Sequence, residues 1–266
     1  MYNFLLWVMG ILFSYLYANI LPFSMGISIF VGVILGFITS LLIIVISIII
    51  FGFILLKLPL NSKFKKWYID QAAKIACNLL GLKYKVYGKE NIPTDVNYIV
   101  CPNHKSMLDV VLIYLAFPNN MGFMAKKPLF KIPFVRTYMK AMGCFPVDRE
   151  NDREAAKEMV KAIRQIKNGI PMGVFPEGGV KDRTTGKMVD VKAGAYKMAT
   201  KTESAILPVS MINNRFIGER SPWRTTKVEI HIHKPIFYEE YKDLNTIEIG
   251  DKVFNIVNAK IEELEK

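Results

Sequence analysis

The first 56 residues contain no Asp, Glu, Lys or Arg. A run of that length with nothing charged to hydrate excludes a wholly soluble chain. Cysteine is scarce as well. Cys77, Cys101 and Cys144 are odd in number and scattered, which excludes a secreted disulfide framework and points to a reducing compartment. Only His104, His231 and His233 represent histidine, and neither C-x-x-C nor H-E-x-x-H spacing occurs, so no metal site is expected. His231 and His233, two apart, read as the polar face of a strand. Without G-x-S-x-G there is no nucleophile elbow for a serine hydrolase. A P-loop is excluded because Lys181 stands where its first glycine belongs and Met188 where Ser or Thr should bind magnesium.

What is present divides the chain in two. Phe4 to Leu21 is apolar, Pro22 interrupts it, and Ile27 to Leu56 is a second run longer than one span needs. The expected organisation is a membrane anchor of two hydrophobic helices over 1–56, either crossing twice or re-entrant, and a cytoplasmic domain over 57–266. A cleaved signal would carry a basic start and a small-residue cleavage site, and neither is found. The net charge is +12, and the basic excess follows the anchor: from Lys57 to Lys89 there are eight lysines and one acid, Asp70. By the positive-inside rule this places the domain on the cytoplasmic side of the cell membrane. The basic surface is expected to meet an anionic membrane surface, with no nucleic acid as partner. Hydrophobic residues at 52% and aromatics at 12% are ample for a core.

Beyond an amphipathic stretch from Trp67 to Leu80, which Gly81 stops, β-rich runs alternate with helical patterns. Tyr84–Tyr87, Tyr98–Cys101, Met121–Met124, Cys144–Val147, Met172–Phe175, Ile206–Ser210 and Val228–His233 read as strands. Helices are expected over Met107–Ala116, Arg153–Lys167 and Ala193–Thr200, with one more at the carboxyl end. The implied fold class is α/β, a mixed, mostly parallel sheet flanked by helices. Functional groups are then expected in turns after strand carboxyl ends: Pro102–Ser106, Asp148–Asn151 and Pro176–Arg183.

In the first turn, Asn103-His104-Lys105-Ser106-Met107-Leu108-Asp109 sets a histidine before a helix whose first turn carries a carboxylate. An imidazole facing substrate, with Asp109 on its other nitrogen, is what a general base needs. Ser106-x-x-Asp109 is also a capping box, and these residues alone fit either reading. In the third turn, Pro176-Glu177-Gly178-Gly179 lets a substrate approach the backbone, where exposed N–H groups suit a phosphate or an oxyanion.

Together these turns resemble the glycerolipid acyltransferase family, most closely its bacterial 1-acyl-glycerol-3-phosphate members, over roughly Asn97 to Ser210. Asn103-His104-x4-Asp109 matches N-H-x4-D. Gly143-Cys144-Phe145-Pro146-Val147-Asp148-Arg149 matches a second block, Phe175-Pro176-Glu177-Gly178 matches F-P-E-G, and Leu207-Pro208-Val209 matches a looser fourth. Lys192-x-Gly194-Ala195 resembles the family's K-x-G-A segment. The resemblance implies a membrane-bound enzyme moving an acyl group to a lysophospholipid hydroxyl, most closely lysophosphatidate, with His104 and Asp109 catalytic. Asn103, Lys126, Arg149, Glu177, Gly178 and Gly179 are implied to bind substrate. The family continues F-P-E-G-T-R-S, with the arginine taken to hold the acceptor's phosphate, whereas Val180 stands there; Lys181 or Arg183 is the expected substitute. No cofactor is implied. The acyl donor is acyl-CoA, acyl carrier protein or acyl phosphate, so acyl carrier protein is also a candidate partner. The rival expectations are another lysolipid acceptor, an acyl thioesterase or lysolipid hydrolase, and a non-catalytic membrane scaffold.

Overall fold

The computed structural model describes residues 2–148, 151–218 and 224–265. It opens with two apolar helices, α1 (Tyr2–Ile20) and α2 (Met25–Lys57), with Pro22 in the link between them. At 33 residues α2 is long and apolar enough to cross a membrane, while the apolar stretch of α1, Phe4–Ile20, is shorter. The pair approach closely because small residues meet. A Cβ on Gly36 would stand 2.4 Å from the Ser14 amide nitrogen, and one on Gly32 2.9 Å from that of Ala18. The second half of α2 leaves this partner for the globular part, where Ile44, Ile48 and Leu55 join the main apolar core.

Helix α3 (Lys63–Leu79) begins at Ser62, whose hydroxyl accepts from the Lys65 N–H at 3.3 Å. It ends before Gly81, whose φ of +58° is left-handed. The rest alternates: β1 (Leu82–Tyr87), β2 (Tyr98–Pro102), α4 (Asp109–Ala116), β3 (Gly122–Lys126), α5 (Pro133–Met142), β4 (Phe145–Val147), α6 (Asp152–Lys167), β5 (Met172–Gly173), α7 (Lys197–Thr202), β6 (Ala205–Ile212), β7 (Thr226–Ile232) and α8 (Thr246–Leu264). The seven strands form one sheet in the order β1-β7-β6-β2-β5-β3-β4. Every pairing is parallel except β6 with β7. The mixed, mostly parallel sheet expected from the sequence is therefore present.

Strand periodicity divides the core in two. In β2, Tyr98 and Val100 face the layer that holds α2, α3, α4 and α5, while Ile99 and Cys101 face α6, α7 and α8. Both faces being covered, the central strands are mostly apolar and buried: all eight residues of β6 are buried, Ser210 included.

Three elements differ from the sequence expectation. Helix α5 was not anticipated, although Pro133 opens its first turn and Gly143, at φ +84°, closes it. Strand β5 is two residues, not the four of Met172–Phe175, because the chain turns off the sheet; Val174 N–H still donates to Val100 C=O at 2.8 Å. Ala193–Thr200 is a 3₁₀ turn, Ala193–Tyr196, followed by α7. The three cysteines are free and buried, as the scattered spacing implies.

Candidate active site

Because β2, β3, β4, β5 and β6 run parallel, their carboxyl ends share one edge, and the turns Pro102–Ser106 and Pro176–Arg183 come together there, while the turn Asp148–Asn151 lies partly outside the described residues. Strand β2 ends at Pro102 and delivers Asn103, His104 and Lys105 into the turn before α4. His104 Nδ1 lies 3.1 Å from Asp109 Oδ2. The same oxygen accepts from the backbone N–H groups of Lys105 (2.7 Å) and Ser106 (2.8 Å). Orienting the histidine and closing the turn are thus done by one atom. With Nδ1 engaged, Nε2 is the nitrogen left to act as base. The ring stacks on Phe175, centroids 4.0 Å apart, which fixes its plane; the side chain keeps 13% of its exposure, whereas Asp109 has none.

The floor of the site joins the two main turns. Glu177 is fully buried; its Oε1 accepts from the His104 N–H at 2.6 Å, and its Oε2 from Lys105 Nζ at 3.0 Å and Val189 N–H at 3.2 Å. Burial pushes the Glu177 carboxyl above the ordinary range, against the opposing pull of the His104 N–H and Lys105. Asn103 is equally buried. Its amide donates to Gly186 C=O (2.8 Å) and Met211 C=O (2.9 Å) and accepts from Met211 N–H (2.7 Å), tying the β2 end to β6. Both residues were expected to touch substrate, and both side chains are buried with their hydrogen bonds made inside the protein.

The remaining expected residues are dispersed. Gly178 and Gly179 follow Glu177 with φ of +70° and +149°, a course that favours glycine at both positions. Lys126, exposed, ends β3, the strand beside β5. Lys181 is ion-paired with Asp190, and Arg183 lies by Gly218, where a Cβ would stand 3.0 Å from its Nη1. Arg149 lies outside the described residues; its neighbour Asp148 accepts from Lys127 Nζ at 3.0 Å. Leu207-Pro208-Val209 lies within β6 beside β2 as buried scaffold. His231 faces Glu229 at 3.0 Å and His233 faces Ser210 at 2.7 Å, and no metal-binding group of side chains occurs among the described residues. Sequence reasoning missed Lys105 and Phe175. Lysine in a turn reads as solvated, and its buried partner is 72 residues away.

A family model described as Acyltransferase matches residues 83–212, from β1 to the end of β6. The chain is 38% identical over 163 residues to the 1-acyl-sn-glycerol-3-phosphate acyltransferase of Borreliella burgdorferi, covering 60% of this chain and 64% of that one. It is 28% identical over 199 residues to the protein of the same description from Bacillus subtilis, covering 74% and 96%. Among solved structures it is similar to the 1-acyl-sn-glycerophosphate (LPA) acyltransferase PlsC from Thermotoga maritima, with a TM-score of 0.67 and 29% identity over 84% of this chain and 92% of that one.

Proposed function

The chain belongs to the acyltransferase family, and from that premise we propose that it moves a fatty acyl group from an activated carrier to the free hydroxyl of 1-acyl-glycerol-3-phosphate, giving phosphatidate. The observation that carries this is the His104–Asp109 contact of 3.1 Å at the open edge of the sheet. Neutral His104, its Nδ1–H directed at Asp109, takes the acceptor's hydroxyl proton at Nε2 as the oxygen attacks the acyl carbonyl carbon. The tetrahedral species collapses, the carrier leaves, and the imidazolium returns the proton to it. Asp109 stabilises the imidazolium meanwhile. No acyl-enzyme is formed, so no nucleophilic side chain is required.

Around that step, Phe175 and Glu177 hold the histidine from its ring face and its peptide nitrogen. The Gly178–Gly179 turn and Lys126 shape the place of the acceptor's phosphate. The donor is a thioester of coenzyme A or acyl carrier protein, or an acyl phosphate. Helices α1 and α2 anchor the enzyme in the membrane, and the basic excess that follows favours the cytoplasmic side for the catalytic domain, with Lys57 and Lys63 exposed to headgroups while Lys65 and Lys66 are buried. The substrate gives the anchor its purpose: a lysolipid leaves the bilayer at about 0.8 kcal/mol per exposed CH₂, so an enzyme at the interface avoids full extraction.

The test is to incubate membranes carrying the enzyme with a panel of lysolipids and labelled donors and to identify products by mass. Phosphatidate from lysophosphatidate, abolished in His104→Ala, is the expected result. Free fatty acid formed without any acceptor would make the enzyme a hydrolase, and acylation confined to phosphate-free acceptors would overturn the assigned substrate.

A further inference from the structure

An acceptor bearing a phosphomonoester needs cationic charge close to the base, because the phosphate and the attacking hydroxyl sit on adjacent glycerol carbons. Position 180, valine, supplies none. Lys105 is fully buried on Glu177, Lys181 is held by Asp190, and Arg183 lies against Gly218. Lys192 is placed differently. Its backbone N–H donates to Pro176 C=O at 2.9 Å, pinning it beside the Gly178–Gly179 turn. From there its side chain runs across Gly178: a Cβ at that glycine would stand 3.1 Å from both Lys192 Cδ and Cε and 3.5 Å from Nζ. The ammonium thus ends over the residue next to Glu177, which itself holds the peptide of His104.

We propose that Lys192 holds the acceptor's phosphate beside the Gly178–Gly179 turn, the role that the family resemblance implied for Lys181 or Arg183. This rests on the reading of the chain as an acyltransferase for a phosphate-bearing lysolipid. Three features support it together. The backbone of Lys192 is tethered to Pro176, so its side chain starts from a fixed point beside the turn. Gly178 lacks the side chain that would occupy the stem's path. Lys126, exposed at the end of β3, adds positive charge to the same sheet edge. Lysine gives charge without the planar fork of arginine, so the site reads charge more than bond direction.

The experiment measures steady-state rates of the full-length protein in mixed micelles, with lysophosphatidate and whichever thioester or acyl phosphate supports wild-type turnover. The variants are Lys192→Gln, Lys192→Arg, Lys181→Gln and Arg183→Gln, each with a thermal melt. The expected result is an acceptor KM raised about ten- to hundredfold in Lys192→Gln, the range for one charge-assisted bond. Donor KM stays within twofold, Lys192→Arg recovers most of the affinity, and the other two variants behave as wild type. A normal acceptor KM in Lys192→Gln overturns the proposal, as does a raised one in Lys181→Gln or Arg183→Gln. A loss of kcat with both KM values unchanged, or a lowered melt that Lys192→Arg shares, makes Lys192 structural and also overturns it. Should wild type acylate no phosphate-bearing lysolipid, the acyltransferase assignment fails first and takes this proposal with it.

Discussion

Asp109 Oδ2 accepts three hydrogen bonds, from His104 and from the Lys105 and Ser106 amides, so charge and turn geometry are separable by substitution. Asp109→Asn retains a carbonyl oxygen for all three donors but cannot neutralise an imidazolium. Turnover is expected to fall about a hundredfold with the melting temperature nearly unchanged, measured on the same preparation. Asp109→Ala orphans the two buried amides and is expected to destabilise by about 1–3 kcal/mol besides. The Lys105–Glu177 pair, both side chains fully buried, makes a second prediction. Lys105→Met alone strands a buried carboxylate and is expected to cost about 3–5 kcal/mol, while Lys105→Met with Glu177→Gln recovers a large part of it, read by thermal inactivation. What the sequence offered was a set of candidates: type and spacing left His104 and Asp109 open between base and cap, the resemblance favoured the first, and the structure brings the two side chains into contact. Which polar residue faces inward was not legible. Asn103, Lys105 and Glu177 are buried through contacts 72 to 108 residues distant, and no local pattern encodes those.

Among the elements, those with a clean period were legible and those set by their neighbours were not. Helix α6 and strand β7 carry their own patterns. Strand β5 gains its short length from the turn that follows, and α5 was missed although Phe134, Tyr138, Ala141 and Met142 recur at helical spacing, because that stripe is only ten residues long. Helix α8 docks on β6 through a polar contact that invites a pH test. Ser210 Oγ donates to Val257 C=O at 2.9 Å and lies 2.7 Å from His233 Nε2. Burial, with His231 and Lys260 adding to it, pushes His233 down to about 4 from its ordinary 6.5. The unfolded chain therefore binds a proton that the folded chain refuses. The stability involved is complete above pH 6.5 and is lost as pH falls through 4, a change on the order of 1 kcal/mol once partial exposure is discounted. Melting temperatures between pH 7.5 and 4.5 are expected to fall less steeply in His233→Gln, whose amide still donates to Ser210.

At the scale of the whole molecule, the boundary between uncharged and charged sequence lies at residue 56, while packing crosses it. Ile44, Ile48 and Leu55 are 4%, 8% and 0% exposed in the same core as β2 and α4. Tyr138 OH also donates to Ile48 C=O at 2.7 Å. A chain of residues 57–266 alone lacks these side chains, each worth about 2–5 kcal/mol, against a folding free energy of about 5–15 kcal/mol. It is expected to aggregate, with no cooperative melt, when run on size exclusion without detergent; a monodisperse, melting product would show that α2 is dispensable to the core.

Thirty-three residues of unbroken helix measure about 50 Å, more than the roughly 30 Å of a hydrocarbon slab. On the proposed reading of α2 as the membrane anchor, it is a mast stepped into the hull rather than a rope tied to it. The altitude of His104 over the lipid would then be set by a stiff rod, and turnover is expected to change with bilayer thickness.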